Sequence, residues 1–509
     1  MSTRRIPYRK FAQAVRRFDV SRVLDKITST SAELQRADFG LASRRWSETG
    51  PVHQFTLAAV ARVAIVEAGR RRGRVADRSP TDNELFELCG MAIELDHVDV
   101  PETGVLSDPG LTRMFARIMY QQALFAYSDF ENIARTIGLL IDVDPAVRGI
   151  PTAADWCAAL GATLSDYMTI VFQLTSLTNT YGGHLTASHI HEAHRMGFFA
   201  GLDLDTVRSV IERNLAADLP SLQSVARTHE QTEAKNWSYN PLLGNPLVKD
   251  GKGGYLLPVY NYLVQKITPL GLFYTGMEHF GEDFSRALGD SFERYAGRHL
   301  ALLKSAGAVV YPEVAYNRGQ NKTIDYFLVF DEVVVLIETK GFRPKDDARA
   351  GTESGLSNLV AKVQHARNQI DRTAALIGEA PELAHIPADR EIRGLVVTLE
   401  PVHNIDTFLY RDMFSANEVE SSTISAHDLE RICPTLAAEP GAGRKVLEAL
   451  TFADPTPPAL DRAVKGLPSI RNPISTALWD SWKRVVPRKP ASASDYYRRA
   501  HREEAAHEP

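Results

Sequence analysis

The sequence predicts a mixed α/β fold, with a mixed sheet flanked by helices in the C-terminal half and a mostly α-helical N-terminal domain. Residues before about 232 show apolar positions at helical spacing. Residues 308–401 instead contain runs of β-branched and aromatic side chains between helical patterns. With 509 residues the chain is too long for one hydrophobic core, so we expect two or three domains.

The N-terminal region is expected to form a bundle or array of helices. The best helical stretches, separated by Pro and Gly breaks, lie at 55–72, 111–141, 152–177 and 203–217. Such a domain fits recognition of DNA, binding of a partner or oligomerisation, and its sequence does not choose among them. The basic run at 70–74 fits phosphate contacts and a solvated helix end equally well.

Breaks in composition divide the chain into four predicted segments. A connector dense in Gly, Pro and Asn follows the helical domain, and Pro- and Gly-rich stretches from about 440 indicate a linker before a polar tail. The segments are a recognition or partner domain at 1–232, the connector at 233–275, a sheet domain at 276–440, and the linker and tail at 441–509.

Each element of the sheet domain has its own pattern. Helices are predicted where apolar residues recur at helical spacing and a glycine ends the pattern, and strands where β-branched residues cluster. In chain order these are a helix at 281–307, a strand at 308–316, a hairpin with strands at 323–330 and 333–340, a helix at 357–378, a strand at 392–401, and a further strand and helix within 420–432.

The hairpin carries two acids and a lysine where apolar side chains are expected. A polar pair at 331–332 marks its turn, and a turn centred there places Asp325 directly opposite Glu338 across the ladder. Because side chains alternate along a strand, Glu338 and Lys340 point to one face while Thr339 points to the other. Three ionisable groups are therefore expected to converge on one face.

Such a convergence requires a counter-charge. Like charges opposite each other on a ladder are destabilising, and a close carboxylate pair resists double ionisation unless a cation lies between its members. The apolar run at 333–337 fits a central strand covered on both faces, where carboxylates are costly. Oxygen ligands favour a hard ion, so the pair predicts a Mg²⁺ site. The alternative is a surface hairpin with solvated or ion-paired side chains.

The hairpin and its surroundings resemble the PD-(D/E)XK nuclease superfamily, which has the restriction-endonuclease-like fold. Its signature is an Asp on one strand and an acid-x-Lys on the next, in an αβββαβ core. Asp325, Glu338 and Lys340 match that signature, and the predicted helices and strands follow the same order. The chain departs from the literal Pro-Asp of the signature, because Ile324 precedes the aspartate.

The resemblance implies a role for each matched residue. Asp325 and Glu338 would bind Mg²⁺, with Mn²⁺ as the alternative ion, and Glu293 on the preceding helix would add a carboxylate or position a second metal. Lys340 would orient and help deprotonate the attacking water, and its charge suits stabilisation of the transition state. Gln369 would hold the lysine or contact the substrate backbone. Exposed helix positions are the alternative for Glu293 and Gln369.

The function that this resemblance implies is hydrolysis of phosphodiester bonds by a metal-dependent endonuclease acting on nucleic acid, with DNA preferred, in a nuclease domain at 276–440. It also implies antiviral or restriction-type host defence, and a homodimer, since cutting both strands of a duplex usually calls for two active sites. One alternative is a non-catalytic nucleic-acid-binding or assembly protein with the same fold. Another is a glycosidase with paired carboxylates, which has no use for Lys340.

Composition limits the remaining classes. Cys89, Cys157 and Cys433 are far apart, which predicts a reducing cytoplasm and neither a disulfide framework nor a zinc site. The sequence contains no apolar run of membrane-spanning length and no secretory h-region at its start, so we expect neither membrane insertion nor secretion. The net charge of −5 is not that of a uniformly basic protein, so nucleic-acid contacts are expected from local patches.

Overall fold

Helices dominate the molecule, and the larger sheet lies in the C-terminal half. The computed structural model describes residues 6–38, 50–69, 78–95, 109–125, 129–230, 235–451 and 459–483. The basic run at 70–74 and the tail beyond residue 483 lie outside the described residues. In the described part, the predicted mixed α/β class with a helical N-terminal region is confirmed.

The N-terminal region is helical, as predicted, but two of the long predicted helices are each divided in two. Gly161, with a left-handed φ of 80°, ends one helix inside the predicted stretch at 152–177. The helices are α1 Tyr8–Val15, α2 Val20–Asp38, α3 Gln54–Glu67, α4 Asp82–Ile93, α5 Pro109–Ala123, α6 Asp129–Leu140, α7 Ala153–Leu160, α8 Leu164–Thr180, α9 Ala187–Arg195, α10 Leu204–Val210 and α11 Leu219–Thr228.

A small sheet that the sequence analysis did not predict links the helical region to the predicted connector. Its strands are two or three residues long, which is too short to produce a recognisable alternation. They are β1 His184–Thr186, β2 Ala216–Ala217, β3 Leu247–Lys249 and β4 Gly254–Leu256, in the order β1-β4-β3-β2, and helix α12 Tyr260–Gln265 follows them.

The elements predicted for the C-terminal half are present in the predicted order. Two short strands and several short helices add to them. The elements are α13 Pro269–Leu300, β5 Val309–Pro312, β6 Ala315–Tyr316, β7 Asn321–Lys322, β8 Tyr326–Val329, β9 Val333–Lys340, α14 Asp346–Arg349, α15 Glu353–Ala374, β10 Glu391–Thr398, α16 Phe408–Arg411, β11 Ser421–Ser425, α17 Ala426–Ala437, α18 Ala442–Thr451 and α19 Pro473–Lys483.

The larger sheet is mixed and has β9 at its centre, in the order β11-β10-β9-β8-β5. Strands β5, β8 and β9 pair antiparallel, whereas β9, β10 and β11 pair parallel. Side chains of β9 alternate between two hydrophobic clusters, one shared with α13 and the other with α15. Helices therefore cover both faces of β9, as its apolar run predicted.

Helix α13 brings the chain to this sheet in two parts. Gly281 has a φ of 66° and ψ of −151°, which breaks the helix near the predicted start of the C-terminal helical pattern. After Leu300 a 3₁₀ turn continues to Gly307, whose left-handed φ of 88° ends the helical segment where the sequence predicted an end.

One hydrophobic core joins the N-terminal helices to the sheet. It includes side chains from α6, α7 and α8 together with residues of α13, β9 and α17. The predicted segment boundaries near 232, 275 and 440 stay predictions, and this core extends across all three. The predicted linker and tail contains helices α18 and α19, whose Val446 and Trp482 are buried in the same core.

A buried ion pair crosses the same junction. Arg135 of α6 donates to both carboxylate oxygens of Glu430 of α17, at 2.6 and 2.8 Å, and Tyr295 of α13 donates to the same carboxylate at 2.7 Å. Burial opposes ionisation of Glu430, but the guanidinium outweighs it and lowers the pKa of that carboxyl. Because removal of either charge would leave the other buried, the pair ties three helices together.

No single described helix is long and apolar enough to cross a membrane, and only α7 and α8 taken together, across a bend of 49°, meet that length and composition.

Candidate functional site

The hairpin register places the predicted site residues at one end of β9. Tyr326 pairs with Ile337 and Val329 with Val334, which is the register predicted from the turn. The ladder begins at Tyr326, so Asp325 lies one residue before β8. Glu338 and Lys340 belong to β9 itself. The predicted register is therefore confirmed for the strands.

Asp325 is held by Thr339 of β9, a contact that the sequence analysis did not predict. Its Oδ2 accepts hydrogen bonds from the backbone N–H of Thr339 at 2.7 Å and from the Thr339 hydroxyl at 2.6 Å. Because Asp325 precedes the ladder, pairing does not hold its backbone in the pleat, and its carboxylate can reach the threonine. Thr339, which was predicted only to point away, thus positions the first acid.

Glu338, Lys340 and Gln369 form a second group on the side of α15. The Lys340 ammonium donates to Glu338 Oε1 at 2.5 Å and to Gln369 Oε1 at 2.9 Å. The side chain of Glu338 is only 3% exposed, and that of Lys340 is 24% exposed. The structure therefore brings together the three residues predicted from β9 and α15, and the lysine head group is held from two directions.

Glu293 approaches from α13 and is partly buried. The Tyr326 hydroxyl donates to the backbone carbonyl of Glu293 at 3.1 Å, which ties this turn of the helix to the start of β8. Gly297 lies one turn later, and a methyl group at this position would overlap the Tyr326 hydroxyl, so only glycine fits there. The pair of Tyr326 and Gly297 thus sets where Glu293 lies relative to the hairpin.

Two glycines allow α13 and the end of β9 to approach closely. A methyl group on Gly341 would lie 3.0 Å from the Cα of Gly289, which is closer than side-chain carbons normally come. Gly341 directly follows Lys340, and Gly289 lies one helical turn before Glu293. This backbone contact therefore brings the helical acid beside the strand that carries the acid and the lysine.

The three acids are coupled electrostatically. Burial and then the charge of Asp325 raise the pKa of Glu338 to about 7, against the opposing effect of Lys340. Burial and then Asp325 also raise the pKa of Glu293 to about 7. For Asp325 itself, burial raises the pKa although both hydrogen bonds from Thr339 lower it. Asp325 therefore opposes the ionisation of both glutamates.

The chemistry of this site fits a hard cation. Among the described residues, no group of three or more His, Cys, Asp and Glu side chains is arranged to hold a metal ion. Mg²⁺, however, usually takes only one or two protein carboxylates and keeps several waters. Glu338 Oε2 is buried and has no hydrogen-bond partner, which is costly for a carboxylate unless a cation is bound. Asp325 and Glu338 therefore supply a donor set that suits Mg²⁺.

An open groove of about 610 Å³ leads away from Lys340 between the loop after β9 and α15. Arg343, Lys345 and Lys362 line it, and none of them forms a salt bridge with a described carboxylate. After burial, the charges of Lys345 and Arg343 further lower the pKa of Lys362. The groove is therefore a concentration of positive charge beside the acids.

Sequence reasoning missed Lys362 of this groove, although a signal was present. Lys362 lies seven residues before Gln369 on α15, a spacing that places both side chains on one face of the helix. Thr339, Tyr326 and Gly297 had no such signal, because their roles depend on where β8 begins and on how α13 packs.

Comparisons with protein-family models, with curated proteins and with solved structures found no match to this chain.

Proposed function

We propose that this chain is a Mg²⁺-dependent nuclease that hydrolyses phosphodiester bonds. The observation that carries the proposal is the buried Glu338, whose unpartnered Oε2 lies in a site coupled to Asp325 and whose Oε1 receives the Lys340 ammonium. Burying an acid pair without a bound cation costs free energy, and burying a lysine beside it adds a further desolvation cost. Phosphodiester hydrolysis gives each group a role.

Asp325 and Glu338 would hold the ion. A bound Mg²⁺ supplies charge stabilisation on the phosphate and a nucleophilic water near neutral pH. Thr339 holds the Asp325 carboxylate by two hydrogen bonds, so its direction is fixed before any ligand binds. Glu338 has a pKa of about 7 and must lose its proton to serve as a ligand.

Lys340 and Glu293 would serve the reacting phosphate and water. The Lys340 ammonium is held by Glu338 and Gln369, an arrangement that suits stabilisation of negative charge on the transition state. Glu293 has a pKa of about 7, the value that suits a group exchanging protons near neutral pH. We assign it to proton transfer with water or to a second metal.

The groove beside Lys340 would bind the substrate backbone. Cationic side chains attract phosphates without regard to sequence, so Arg343, Lys345 and Lys362 suit a nucleic acid. We propose DNA as the preferred substrate and a homodimer as the form that cuts duplexes. Both extensions, and a function in host defence, rest on the PD-(D/E)XK resemblance alone.

The test is cleavage with defined ions and variants. Plasmid, linear DNA, single-stranded DNA and RNA are incubated with the protein in Mg²⁺, Mn²⁺ or EDTA, alongside Asp325→Ala and Lys340→Ala. Asp331→Ala is the matched control, since Asp331 is an exposed acid at the turn of the same hairpin. We expect ion-dependent cleavage that both site variants abolish and the control retains. Cleavage that persists in EDTA, or in both site variants, would contradict the proposal.

A non-catalytic nucleic-acid-binding protein is the second candidate. One observation favours it: Asp325 Oδ2 already accepts two hydrogen bonds from Thr339. In the same experiment, this candidate predicts binding of nucleic acid in a gel-shift assay without cleavage of any substrate in either ion.

A further inference from the structure

A second cavity, of about 400 Å³, lies between the N-terminal helices and α13. Its walls come from α8, from the segment after α10, from α13 and from α14, and they include Tyr167, Arg213, Tyr274 and Arg349. Its volume falls in the range typical of pockets for small ligands. None of its lining residues belongs to the acid and lysine site at the end of β9.

Three cations line this cavity without an ion pair. No carboxylate of the described residues lies within salt-bridge distance of Arg213, Lys266 or Arg349. The Lys266 ammonium donates to the Gly244 carbonyl at 2.9 Å, and burial lowers its pKa to about 8 despite the opposing charge of Glu278. An ammonium that is partly removed from water and held by one carbonyl is incompletely compensated, and an anionic ligand would offset that cost.

Polar atoms around the cavity also lack partners. Tyr167 is 1% exposed, and its hydroxyl is buried without a hydrogen bond, as is Arg349 Nε. An adjoining cavity of about 100 Å³ shares Tyr239 and Arg349 with the larger one. It adds Arg62, which is 4% exposed and whose Nη1 is buried without a partner. Donors in this number, left unsatisfied, indicate a ligand rich in acceptor oxygens.

The remaining lining identifies the class of ligand. Tyr239 and Tyr274 line the cavity with aromatic rings, of which Tyr274 also contacts the Arg343 guanidinium at 4.2 Å. Glu278 and Asp346 are acceptors for hydroxyl or amino groups, and Asp346 already accepts a bond from the Tyr274 hydroxyl at 3.4 Å. We propose that this cavity binds a nucleoside monophosphate, with its phosphate at Lys266, Arg213 and Arg349 and its ring against the tyrosines. Arg213 lies at the exposed mouth of the cavity, and Lys266 lies deeper.

Helix α14 connects this cavity to the groove at the candidate active site. Asp346 and Arg349 face the cavity, whereas Lys345, Asp347 and Ala348 line the groove that begins at Lys340. A ligand that attracts Arg349 therefore acts on the same short helix that borders the groove. We assign the cavity to an effector site, so that occupancy changes the conformation of residues 341–350.

Calorimetric titration of the full chain with AMP and with GMP tests the binding. Arg213→Gln and Lys266→Gln are expected to weaken binding about tenfold or more, since each removes a charged contact to phosphate. Arg208→Gln is the matched control, because Arg208 is an exposed arginine on the preceding helix. The control is expected to bind as the unmodified chain does.

Several outcomes would overturn the proposal. These are absence of binding by both nucleotides, binding that Arg213→Gln leaves unchanged, and inorganic phosphate that binds as tightly as the nucleotides. Arg213 is exposed at the mouth, so its variant tests the site even where Lys266→Gln fails to fold.

Hydrogen exchange with and without saturating AMP tests the connection through α14. We expect altered exchange in 341–350, and unchanged exchange there despite binding would overturn the effector assignment. Neither measurement depends on cleavage, so failure of the nucleotide-binding proposal can be distinguished from failure of the nuclease proposal.

Discussion

Glu338→Gln removes a buried acid with a raised pKa from the candidate site, so the stability of the protein should fall less as the pH rises. The pKa of Glu338 lies at about 7 in the folded protein, against an ordinary value of 4.5. A raised carboxyl pKa means that the folded state binds more protons than the unfolded state between these two values. The contribution of Glu338 to the free energy of unfolding is therefore fully present below its ordinary pKa, and it is lost as the pH rises from that value through the pKa in the folded protein.

The magnitude follows from the shift. At about 1.4 kcal/mol per unit of pKa, ionisation of Glu338 lowers the free energy of unfolding by about 2–3 kcal/mol between pH 5 and pH 8. Glutamine keeps the size of the side chain and cannot ionise, so this loss should be absent in the variant. The side chain is 3% exposed, so solvent screening does little to reduce the effect.

Urea unfolding in EDTA at pH 5 and pH 8, followed by circular dichroism, measures this difference. Glu448→Gln is the matched control, because Glu448 is an exposed helix residue. From pH 5 to pH 8 the free energy of unfolding of the unmodified chain should fall by about 2–3 kcal/mol more than that of Glu338→Gln. The control should show the same fall as the unmodified chain. Equal pH dependence in all three proteins would refute the electrostatic account of the site.

Three further perturbations test the rest of the site. Thr339→Val removes the hydroxyl that donates to Asp325 and should lower the free energy of unfolding by about 1–2 kcal/mol, as measured by urea unfolding. It should also lower the proposed nuclease activity about tenfold, as measured by plasmid cleavage. Gly297→Ala should destabilise the protein by about 1–3 kcal/mol, because the added methyl displaces Tyr326, and its melting temperature should fall. Mg²⁺ should raise the melting temperature more at pH 8 than at pH 6, since Glu338 must lose its proton first, and Asp325→Asn should abolish that rise. An Mg²⁺ effect that does not depend on pH would contradict the last prediction.

Features that depend on local pattern were predictable from the sequence. The register of the hairpin follows from its polar turn, and the burial of β9 on both faces follows from its apolar run. Gly307 and Gly378 were predicted as helix ends, and both have left-handed φ values of 88° and 86°. These features are set by residues a few positions apart, so one sequence is enough to read them.

Features that depend on packing were not predictable. Periodicity identifies a buried face of α6 or α8, but it does not identify what that face packs against. The core shared by the N-terminal helices and the sheet therefore had no signal. The bond from Thr339 to Asp325 exists because β8 begins at Tyr326, and strand ends are the least certain part of any sequence interpretation.

The buried pair of Arg135 and Glu430 limits how early the N-terminal helices can finish folding while the chain is being synthesised. The two residues are 295 positions apart in the chain. At about 5–20 residues per second, the ribosome completes the first about 15–60 s before the second. During that interval Arg135 lacks the carboxylate that it contacts in the folded protein, and the core that α6 shares with the sheet is incomplete. The N-terminal helices therefore cannot complete their shared core until residue 430 has been synthesised. A chain truncated before that residue would leave part of their apolar surface exposed to chaperones and proteases.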